Sequence, residues 1–251
     1  MSSATRSLSG RVALITGAAQ RIGAEIARTL HAAGMDLLLH YRSSQQPALA
    51  LQAELLAQRA NSVQLLRGDL LLADTPERLI SEAEGWQGRL DLLVNNASSF
   101  YPTPLERISA AQWDDLIGTN LKAPLFLARS AAPLLRASRG TIVNLVDIHA
   151  QRPLAGYPLY CIAKAGNAMM VKSLARELGP EVRVNGVAPG AILWPEEELG
   201  ESAKASIIDR TTLKRAGEPR DIARTVLFLV RDADYISGQI IAVDGGRSVQ
   251  Q

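Results

Sequence analysis

Seven short apolar runs alternate along the chain with longer segments of helical periodicity, and this alternation constrains the fold more than any other feature. The runs cover residues 12–15, 37–40, 63–66, 90–94, 141–146, 182–187 and 240–243. A typical intervening segment, RIGAEIARTLHAAG, has apolar residues three and four apart and ends at Gly34, as an amphipathic helix does. Because parallel strands need crossover helices, the pattern predicts an α/β fold: a doubly wound, seven-stranded parallel sheet with helices on both faces.

The whole chain, residues 1–251, is predicted to form one domain. A length of 251 residues suits either one large domain or two small ones. No linker, repeat or low-complexity tract interrupts the alternation, which favours a single domain. The stretch from about 189 to 206 is irregular, and we interpret it as a surface flap plus a short helix that starts at Pro195. Trp194 in this flap either covers a ligand or anchors the flap.

Composition and charge argue against several classes of partner. The 27 basic residues nearly balance the 25 acidic ones and form no cluster, so no nucleic-acid partner is expected. No apolar stretch approaches the ~20 residues that span a bilayer, and no signal peptide is recognised, so a cytoplasmic protein without a membrane partner is predicted. One cysteine and three scattered histidines predict neither a disulfide framework nor a metal site.

The first apolar run is followed directly by TGAAQRIG, which opens the first helical segment. Gly17 and Gly23 allow a sharp turn and the close approach of a phosphate to the free amides of the helix N-terminus. This position favours a dinucleotide site over a simple strand-to-helix turn. Arg21 stands where a third glycine is usual, and its guanidinium either faces a phosphate or ligand or is solvated. Ile22 is placed in the same cofactor site.

The residues after the second run indicate which dinucleotide is bound. Sites selective for NAD tend to present an acid here to the ribose hydroxyls, but the sequence reads LHYRSS and has none. A positive charge and hydroxyl groups suit a 2′-phosphate instead, so NADPH/NADP+ is the predicted cofactor. After the third run, Asp69 is predicted to accept a hydrogen bond from an adenine amino group. The predicted cofactor-binding residues of this region are His40, Tyr41, Arg42, Ser43, Asp69 and Leu70.

The fourth run ends in NNASSFYPTP, with asparagines and small residues at the carboxyl end of a predicted central strand. Ligands of open α/β sheets bind outside these strand ends, so Asn96, Ala97 and Ser98 are predicted to contact the cofactor. Phe100 follows at the rim of the same crevice. It either packs against a neighbouring side chain or stacks on a flat substrate beside the nicotinamide.

A tyrosine and a lysine four residues apart follow the fifth run. Tyr160 and Lys164 therefore share one face of a helix, where the ammonium group is expected to lower the pKa of the phenol and assist proton transfer. Asn120, on the preceding helix, is placed to hold a proton-relay water. The fifth run itself ends in a carboxylic acid, Asp147, thirteen residues before Tyr160. Asp147 is either a turn cap or a shielded acid that carries a proton near neutral pH.

Taken together, TGAAQRIG, NNA, Asn120, YCIAK, RVNGVAPG and VDGG resemble the short-chain dehydrogenase/reductase superfamily over essentially the whole chain. The resemblance implies a Rossmann-type fold, usually in a homotetramer, with Tyr160 as the proton donor and Lys164 binding the nicotinamide ribose. It also implies cofactor contacts after the sixth run by Pro189, Gly190 and Ile192. The superfamily pattern has a serine thirteen residues before the tyrosine, whereas this chain has Asp147.

This departure, together with Arg21, HYRSS, NNASSFYPTPL and NLVD, is similar to the pteridine reductases within the superfamily. That resemblance implies that the arginine supports the cofactor phosphate and the pterin, that the phenylalanine stacks on the pterin, and that the aspartate assists the tyrosine in protonation. The implied substrate-binding residues are Arg21, Ser98, Phe100, Asp147 and Tyr160, and the implied catalytic residues are Asp147, Tyr160, Lys164 and Asn120. A long insertion that some pteridine reductases carry after YPTPL is absent, because Leu105 leads directly to ERISAAQWDDL.

The sequence therefore predicts an NADPH-dependent reductase of dihydropterins, a small-molecule substrate class, with dihydrofolate as a slower substrate. Two alternatives stay open. A carbonyl reductase of the same superfamily, acting on a 3-oxoacyl thioester, would share Tyr160 and Lys164, but Asp147 counts against it. A non-catalytic NADP(H)-binding redox sensor would not need Tyr160, Lys164 and Asn120, and their presence counts against that alternative.

Overall fold

All seven apolar runs form strands of one parallel sheet. The computed structural model describes residues 7–192 and 200–250. The strands are β1 Val12–Ile15, β2 Asp36–Tyr41, β3 Val63–Arg67, β4 Leu92–Asn95, β5 Thr141–Leu145, β6 Arg183–Pro189 and β7 Ile240–Val243. Their order in the sheet is β3-β2-β1-β4-β5-β6-β7, and every neighbouring pair is parallel. The predicted α/β fold, a doubly wound seven-stranded sheet of Rossmann type, is confirmed.

Helices connect these strands, as the alternation predicts. They are α1 Arg21–Ala32, α2 Gln45–Leu56, α3 Thr75–Gln87, α4 Ala110–Ile117, α5 Ala123–Ser138, α6 Pro158–Leu178, α7 Glu201–Asp209 and α8 Pro219–Arg231. A π-helical turn, Gly118–Lys122, joins α4 to α5 without a break. This turn lies beside the functional site described below, and it was not predicted from the sequence.

The central strand β1 shows why the sheet must be covered on both faces. Val12 and Leu14 point to a core shared with α3 and α5, whereas Ala13 and Ile15 point to a second core shared with α1 and α8. Successive strand residues face opposite sides, so a strand that is apolar at every position is buried on both. β1 is buried along its whole length. The two cores therefore lie on opposite faces of one sheet.

The strand order also fixes where ligands can bind. Because all strands are parallel, their carboxyl ends meet at one edge of the sheet. From β1 the chain adds β2 and β3 on one side of the sheet, and it then returns to add β4 and the later strands on the other side of β1. A crevice opens at such a switch point, between β1 and β4. The turn after β1, the residues after β4 and the residues after β5 thus share that edge, and each carries side chains that the sequence had singled out.

The irregular stretch after β6 differs in part from its prediction. Pro189 belongs to β6, and α7 begins within the stretch at Glu201. Pro195 and Trp194 lie outside the described residues. Strand ends elsewhere shift by one or two residues from the apolar runs, as at β4 and β6. Within residues 7–192 and 200–250, no helix is both long enough and apolar enough to cross a membrane.

Candidate active site

A crevice of about 370 Å³ opens at the carboxyl edge of the sheet, between the ends of β1, β2, β3 and β4. Most of the residues predicted to bind the cofactor line it. They are Gly17, Arg21, Ile22, Gly23, His40, Tyr41, Arg42, Ser43, Asp69, Leu70, Asn96, Ala97 and Ser98. The sequence-based prediction thus brought together residues from four separate segments, because parallel strands bring their carboxyl ends to one edge.

The glycine-rich turn after β1 leaves no room for side chains at its two predicted glycines. Gly17 has a φ of +60°, and a Cβ there would lie 3.0 Å from Ala97 Cα. A Cβ at Gly23 would collide with the Gly17 carbonyl oxygen and lie 2.7 Å from Asn96 Nδ2. Arg21 adopts the left-handed conformation, with a φ of +54°, which explains why a glycine is usual there. The turn is therefore a close-fitting cradle, as a site for a pyrophosphate requires.

The imidazole of His40 ties this turn to the end of β3. Its Nδ1 accepts a hydrogen bond of 3.3 Å from Gly17 N, and its Nε2 lies 3.1 Å from the Gly68 carbonyl oxygen, which can only accept. The ring is therefore neutral, with its proton on Nε2. Burial lowers the pKa of His40 from 6.5 to about 4. His40 thus holds the glycine-rich turn of the crevice against the end of β3, a role that the sequence did not show.

The outer end of the crevice is basic and hydroxyl-rich. Arg42 and Ser43 are exposed at its rim after β2, and Ser44 stands beside them. Of the described residues that line the crevice, only Asp69 carries a carboxylate, and its Oδ1 accepts a hydrogen bond of 3.0 Å from Leu71 N. Asp69 lies after β3, not after β2. The end of β2 therefore presents a positive charge, which attracts a 2′-phosphate. A carboxylate at this place would repel it.

Asp147 and Tyr160 are in direct contact at the inner side of the same edge. Tyr160 Oη donates a hydrogen bond of 2.8 Å to Asp147 Oδ2. The other oxygen, Oδ1, accepts from His149 N at 2.8 Å and so caps the short helix Ile148–Ala150. Asp147 thus caps a turn with one oxygen, as one interpretation predicted, and contacts the tyrosine with the other; its role as a proton-carrying acid stays a prediction.

Lys164 lies one helical turn after Tyr160 on α6, and both side chains are buried. Its Nζ donates a hydrogen bond of 2.8 Å to the Leu145 carbonyl oxygen and lies 5.6 Å from the centroid of the Tyr160 ring. Burial lowers the pKa of Lys164 from 10.5 to about 8, while the Asp147 charge acts in the opposite direction. The ammonium group is held by a backbone carbonyl rather than by the phenol.

The expected effect of Lys164 on Tyr160 is wrong in this arrangement. Burial raises the pKa of Tyr160 well above 10, and the Asp147 carboxylate raises it further. The carboxylate contacts the hydroxyl directly, whereas Lys164 faces the ring, so the nearer negative charge prevails. Tyr160 is therefore held as a protonated phenol, which is the state that a proton donor needs.

Ser98 links the cofactor crevice to Tyr160. Its Oγ donates a hydrogen bond of 2.6 Å to Asn120 Oδ1, and the Ser98 hydroxyl slightly opposes the rise in the pKa of the Tyr160 phenol. Asn120 lies in the π-helical turn and is buried. Ser98 and Asn120 thus form one hydrogen-bonded pair and Asp147 and Tyr160 another, and the four residues come from four distant motifs that the sequence had singled out.

Phe100 forms an aromatic wall at the mouth of this group. Its ring stacks on Tyr157 with centroids 4.7 Å apart and planes 13° apart, and it meets the edge of Tyr160 at 4.8 Å. Phe100 is nevertheless 44% exposed. The ring packs against neighbours, as one interpretation predicted, and nearly half of its surface stays exposed.

Besides Lys164, three predicted cofactor contacts lie apart from the crevice lining. Pro189 pairs with Val243 in the sheet, a Cβ at Gly190 would meet Asp244, and Ile192 packs into the core on the side of α1 and α8. Their cofactor contacts stay predictions from the family pattern. Sequence reasoning missed other crevice-lining residues, namely Ala19, Gln20, Ser44, Ser99 and Thr119. Each lies within two positions of a predicted site residue in the sequence, which was the signal available.

The geometry agrees with the relatives of the chain. A family model described as enoyl-(acyl carrier protein) reductase matches residues 17–248, which contain the glycine turn, Asp147, Tyr160 and Lys164. The chain belongs to the short-chain dehydrogenase/reductase family. As a member of the short-chain dehydrogenase/reductase family, it is an NAD(P)-dependent oxidoreductase. The close-fitting glycine turn and the basic rim of the crevice fit such a dinucleotide.

Individual short-chain dehydrogenase/reductase relatives carry different activities in their names. Pteridine reductase 1 of Leishmania tarentolae is 37% identical over 287 aligned positions, which cover 98% of this chain and 99% of the relative. The 3-oxoacyl-(acyl-carrier-protein) reductase of Staphylococcus epidermidis is also 37% identical, over 93% of this chain and 97% of its own length. A Synechocystis enzyme of that second name is 34% identical over 95% of this chain. Overall identity thus leaves the substrate of this family member open.

Proposed function

We propose that the protein is an NADPH-dependent pteridine reductase that reduces dihydropterins to tetrahydropterins. The observation that supports this most is the 2.8 Å hydrogen bond from Tyr160 Oη to Asp147 Oδ2. A carbonyl reductase needs one neutral hydroxyl that steadies a carbonyl oxygen. Hydride reduction of either a carbonyl group or a pterin C=N bond takes up one proton, at the carbonyl oxygen or at the ring nitrogen, and a carboxyl group beside the phenol can replace the proton that the phenol gives up.

The residues divide the proton transfer between them. NADPH, when bound, supplies the hydride. Tyr160 keeps its proton because its pKa is raised, so it can donate to a developing negative charge on the substrate nitrogen. Asp147 is only half-buried, so it can exchange a proton with solvent and return it to the phenol oxygen. Lys164 places a positive charge near the Tyr160 ring without contacting the phenol oxygen.

NADPH rather than NADH is proposed because of the charges after β2. Arg42 and Ser43 are exposed at the rim of the crevice and can meet a 2′-phosphate with a guanidinium and a hydroxyl. The described lining holds no carboxylate at the end of β2 that would bind the two ribose hydroxyls of NADH. The crevice therefore complements the additional negative charge of NADPH.

The exposed part of the Phe100 ring supports a flat aromatic substrate. The ring is already held by Tyr157 and Tyr160, so a ligand that packs on its exposed part would not have to order it. A pterin ring on this wall would lie within reach of Asp147 and Tyr160. A thioester chain has no ring to stack there.

Reduction of a 3-oxoacyl thioester is the second candidate, because relatives of that name match as closely as the pteridine reductase does. Tyr160 and Lys164 would serve either reaction. Asp147 distinguishes the two candidates, since the general superfamily pattern has a serine at this position and the aspartate is the feature that resembles the pteridine reductases.

The test is to follow NADPH oxidation with dihydrobiopterin, dihydrofolate and acetoacetyl thioester side by side, and to repeat each assay with NADH. We expect turnover of the pterin, slower turnover of dihydrofolate and a clear preference for NADPH. Turnover of the thioester without the pterin would support the second candidate. Tight NADPH binding without turnover of any substrate would support a redox sensor. Tyr160→Phe is the control, because it keeps the ring and removes the proton donor.

A further inference from the structure

A chain of four buried asparagines runs from the centre of the sheet to the active site. Asn95 Nδ2 donates to Asn144 Oδ1 at 2.8 Å, and Asn144 Nδ2 donates to Asn167 Oδ1 at 2.9 Å. Asn167 Nδ2 then donates to the Asn120 carbonyl oxygen at 2.8 Å. None of the four side chains is more than 3% exposed. Every amide in the chain donates in the same direction, toward Asn120.

The last of these hydrogen bonds replaces one that the backbone cannot make. In an α-helix, the Asn120 carbonyl would accept from the residue four positions later, which is Pro124 and has no N–H. The backbone forms a π-helical turn here, in which Ala123 N donates to Gly118 O. Such turns are frequent at functional sites. Asn167 from α6 supplies the donor that Pro124 lacks.

The π-helical turn connects directly to the residues around Tyr160. Asn120 Nδ2 donates to the Ser99 carbonyl oxygen at 2.9 Å, and Asn120 Oδ1 accepts from Ser98 Oγ at 2.6 Å. The segment that carries Ser98 continues to Phe100, whose ring centroid lies 4.8 Å from that of Tyr160. A shift of the turn would therefore move the segment that carries Ser98.

Asn167 lies on the same helix as the two central residues of the site. It follows Tyr160 by seven positions and Lys164 by three, so all three lie on one face of α6. One rigid helix therefore carries both the phenol and the group that holds the turn facing it. Asn95 Oδ1 is buried without a hydrogen-bond partner among the described residues, a cost that an apolar side chain of similar size would avoid. Packing alone therefore does not explain why an asparagine is present there.

We propose that Asn167 is a positioning residue of the active site: it holds the Asn120 carbonyl oxygen and thereby keeps Ser98 beside Tyr160. Asn95 and Asn144 orient Asn167 by fixing which end of its amide faces the turn. This role does not depend on the substrate, because it concerns the residues around Tyr160 that every reaction of the family would use. The proposed role of Asn167 can therefore be tested independently of the proposed pterin specificity.

The first test replaces Asn167 by leucine, which has a similar size and no donor. The assay uses whichever of dihydrobiopterin and acetoacetyl thioester the wild-type enzyme reduces. We expect kcat to fall about ten- to a hundredfold while the KM for NADPH changes less than about twofold, because a small misplacement at the reacting group is costly. Asn185→Leu is the matched control: Asn185 is equally buried and also makes two side-chain hydrogen bonds, but on β6 away from the site. The control should keep its kcat even where it loses comparable stability.

Hydrogen exchange gives a readout that needs no substrate. Asn167→Leu should speed amide exchange in the π-helical turn and in the segment that carries Ser98, whereas Asn185→Leu should speed exchange around β6 and leave these segments unchanged. Unchanged exchange in the turn together with unchanged kcat would overturn the proposal. The exchange measurement decides the question even if the wild-type enzyme reduces neither substrate.

Asn167→Asp separates the donor from the packing. An aspartate can still accept from Asn144, but it donates to the Asn120 carbonyl oxygen only when it is protonated. The ratio of the kcat of this variant to that of the wild-type enzyme should therefore fall as the pH rises from about 6 to about 9. A ratio that stays constant over this range would contradict the need for a donor at position 167.

Discussion

Tyr160 Oη lies 2.8 Å from Asp147 Oδ2, and the phenol is the donor in this hydrogen bond. The contact joins α6 to the end of β5, two elements that the chain connects through a short irregular segment. It contributes to the protonation of the site, because burial raises the pKa of Tyr160 and the carboxylate raises it further. The carboxyl group therefore keeps the proton on the tyrosine until the substrate takes it.

Replacing Asp147 by asparagine should impair proton transfer without removing the contact. Asparagine can still accept from Tyr160, but it cannot carry a proton. We expect kcat for dihydrobiopterin to fall about a hundredfold or more, the range of general acid catalysis. NADPH affinity, measured by the fluorescence of the bound cofactor, should stay unchanged. A kcat within about twofold of wild type would reduce Asp147 to a structural cap.

Replacing Lys164 by methionine should stabilise the protein at neutral pH while it abolishes activity. The pKa of Lys164 is about 8 when folded and 10.5 in the reference state, so the unfolded chain binds more protons between these values. The contribution of Lys164 to stability therefore rises with pH from about 8 to about 10.5, and below this window the buried charge costs up to about 3 kcal/mol. Urea unfolding of both proteins at about pH 7 and about pH 10 should show the advantage of the variant shrinking with pH. An equal difference at both pH values would contradict the lowered pKa.

Acid should destabilise the protein partly through His40. The pKa of His40 is about 4 when folded and 6.5 in the reference state, so the neutral ring contributes stability above pH 6.5 that is lost as the pH falls to about 4. This loss is up to about 3 kcal/mol. His40→Asn keeps a donor and an acceptor but does not titrate, so its free energy of unfolding should fall less over the same range. Parallel pH profiles of the two proteins would argue against a buried neutral His40.

Replacing Arg42 by aspartate should shift the cofactor preference toward NADH. The variant loses a charged partner of the 2′-phosphate and gains a carboxylate that repels it. We expect the ratio of kcat/KM for NADPH to that for NADH to fall about ten- to a hundredfold or more, because hydrogen bonds to charged groups contribute about 1.5–3 kcal/mol. Arg220→Asp, an exposed arginine on α8, is the control for the change in net charge. An unchanged ratio would show that Arg42 does not select the cofactor.

Replacing Phe100 by alanine should weaken substrate binding more than catalysis. The variant loses the face on which a pterin would stack, and aromatic pairs contribute about 0.5–1.5 kcal/mol beyond their buried area. We therefore expect KM for dihydrobiopterin to rise about tenfold while kcat falls less. Phe228→Ala removes an equally exposed phenylalanine on α8 and should leave KM unchanged. Equal KM values for wild type and Phe100→Ala would exclude stacking.

The sequence predicted the sheet well because each strand and helix carries its own periodicity. β1 is apolar on both faces, and only a central parallel strand covered on both sides satisfies that pattern. The crevice followed from the same argument, since parallel strands fix which chain ends meet. The π-helical turn was missed, although Pro124 four residues after Asn120 was a signal for it.

The sequence by itself determined the fold, the edge of the sheet that carries the site, and the residue types available there. Only the tertiary structure decided which groups are in contact: Tyr160 faces a carboxylate, Lys164 faces a backbone carbonyl, and Asn167 reaches the turn at Asn120. These contacts in turn decide whether a pKa rises or falls. The reason is physical. Periodicity is a local property that each segment carries alone, whereas a pKa depends on burial and on the nearest charge, which distant segments supply only after they pack.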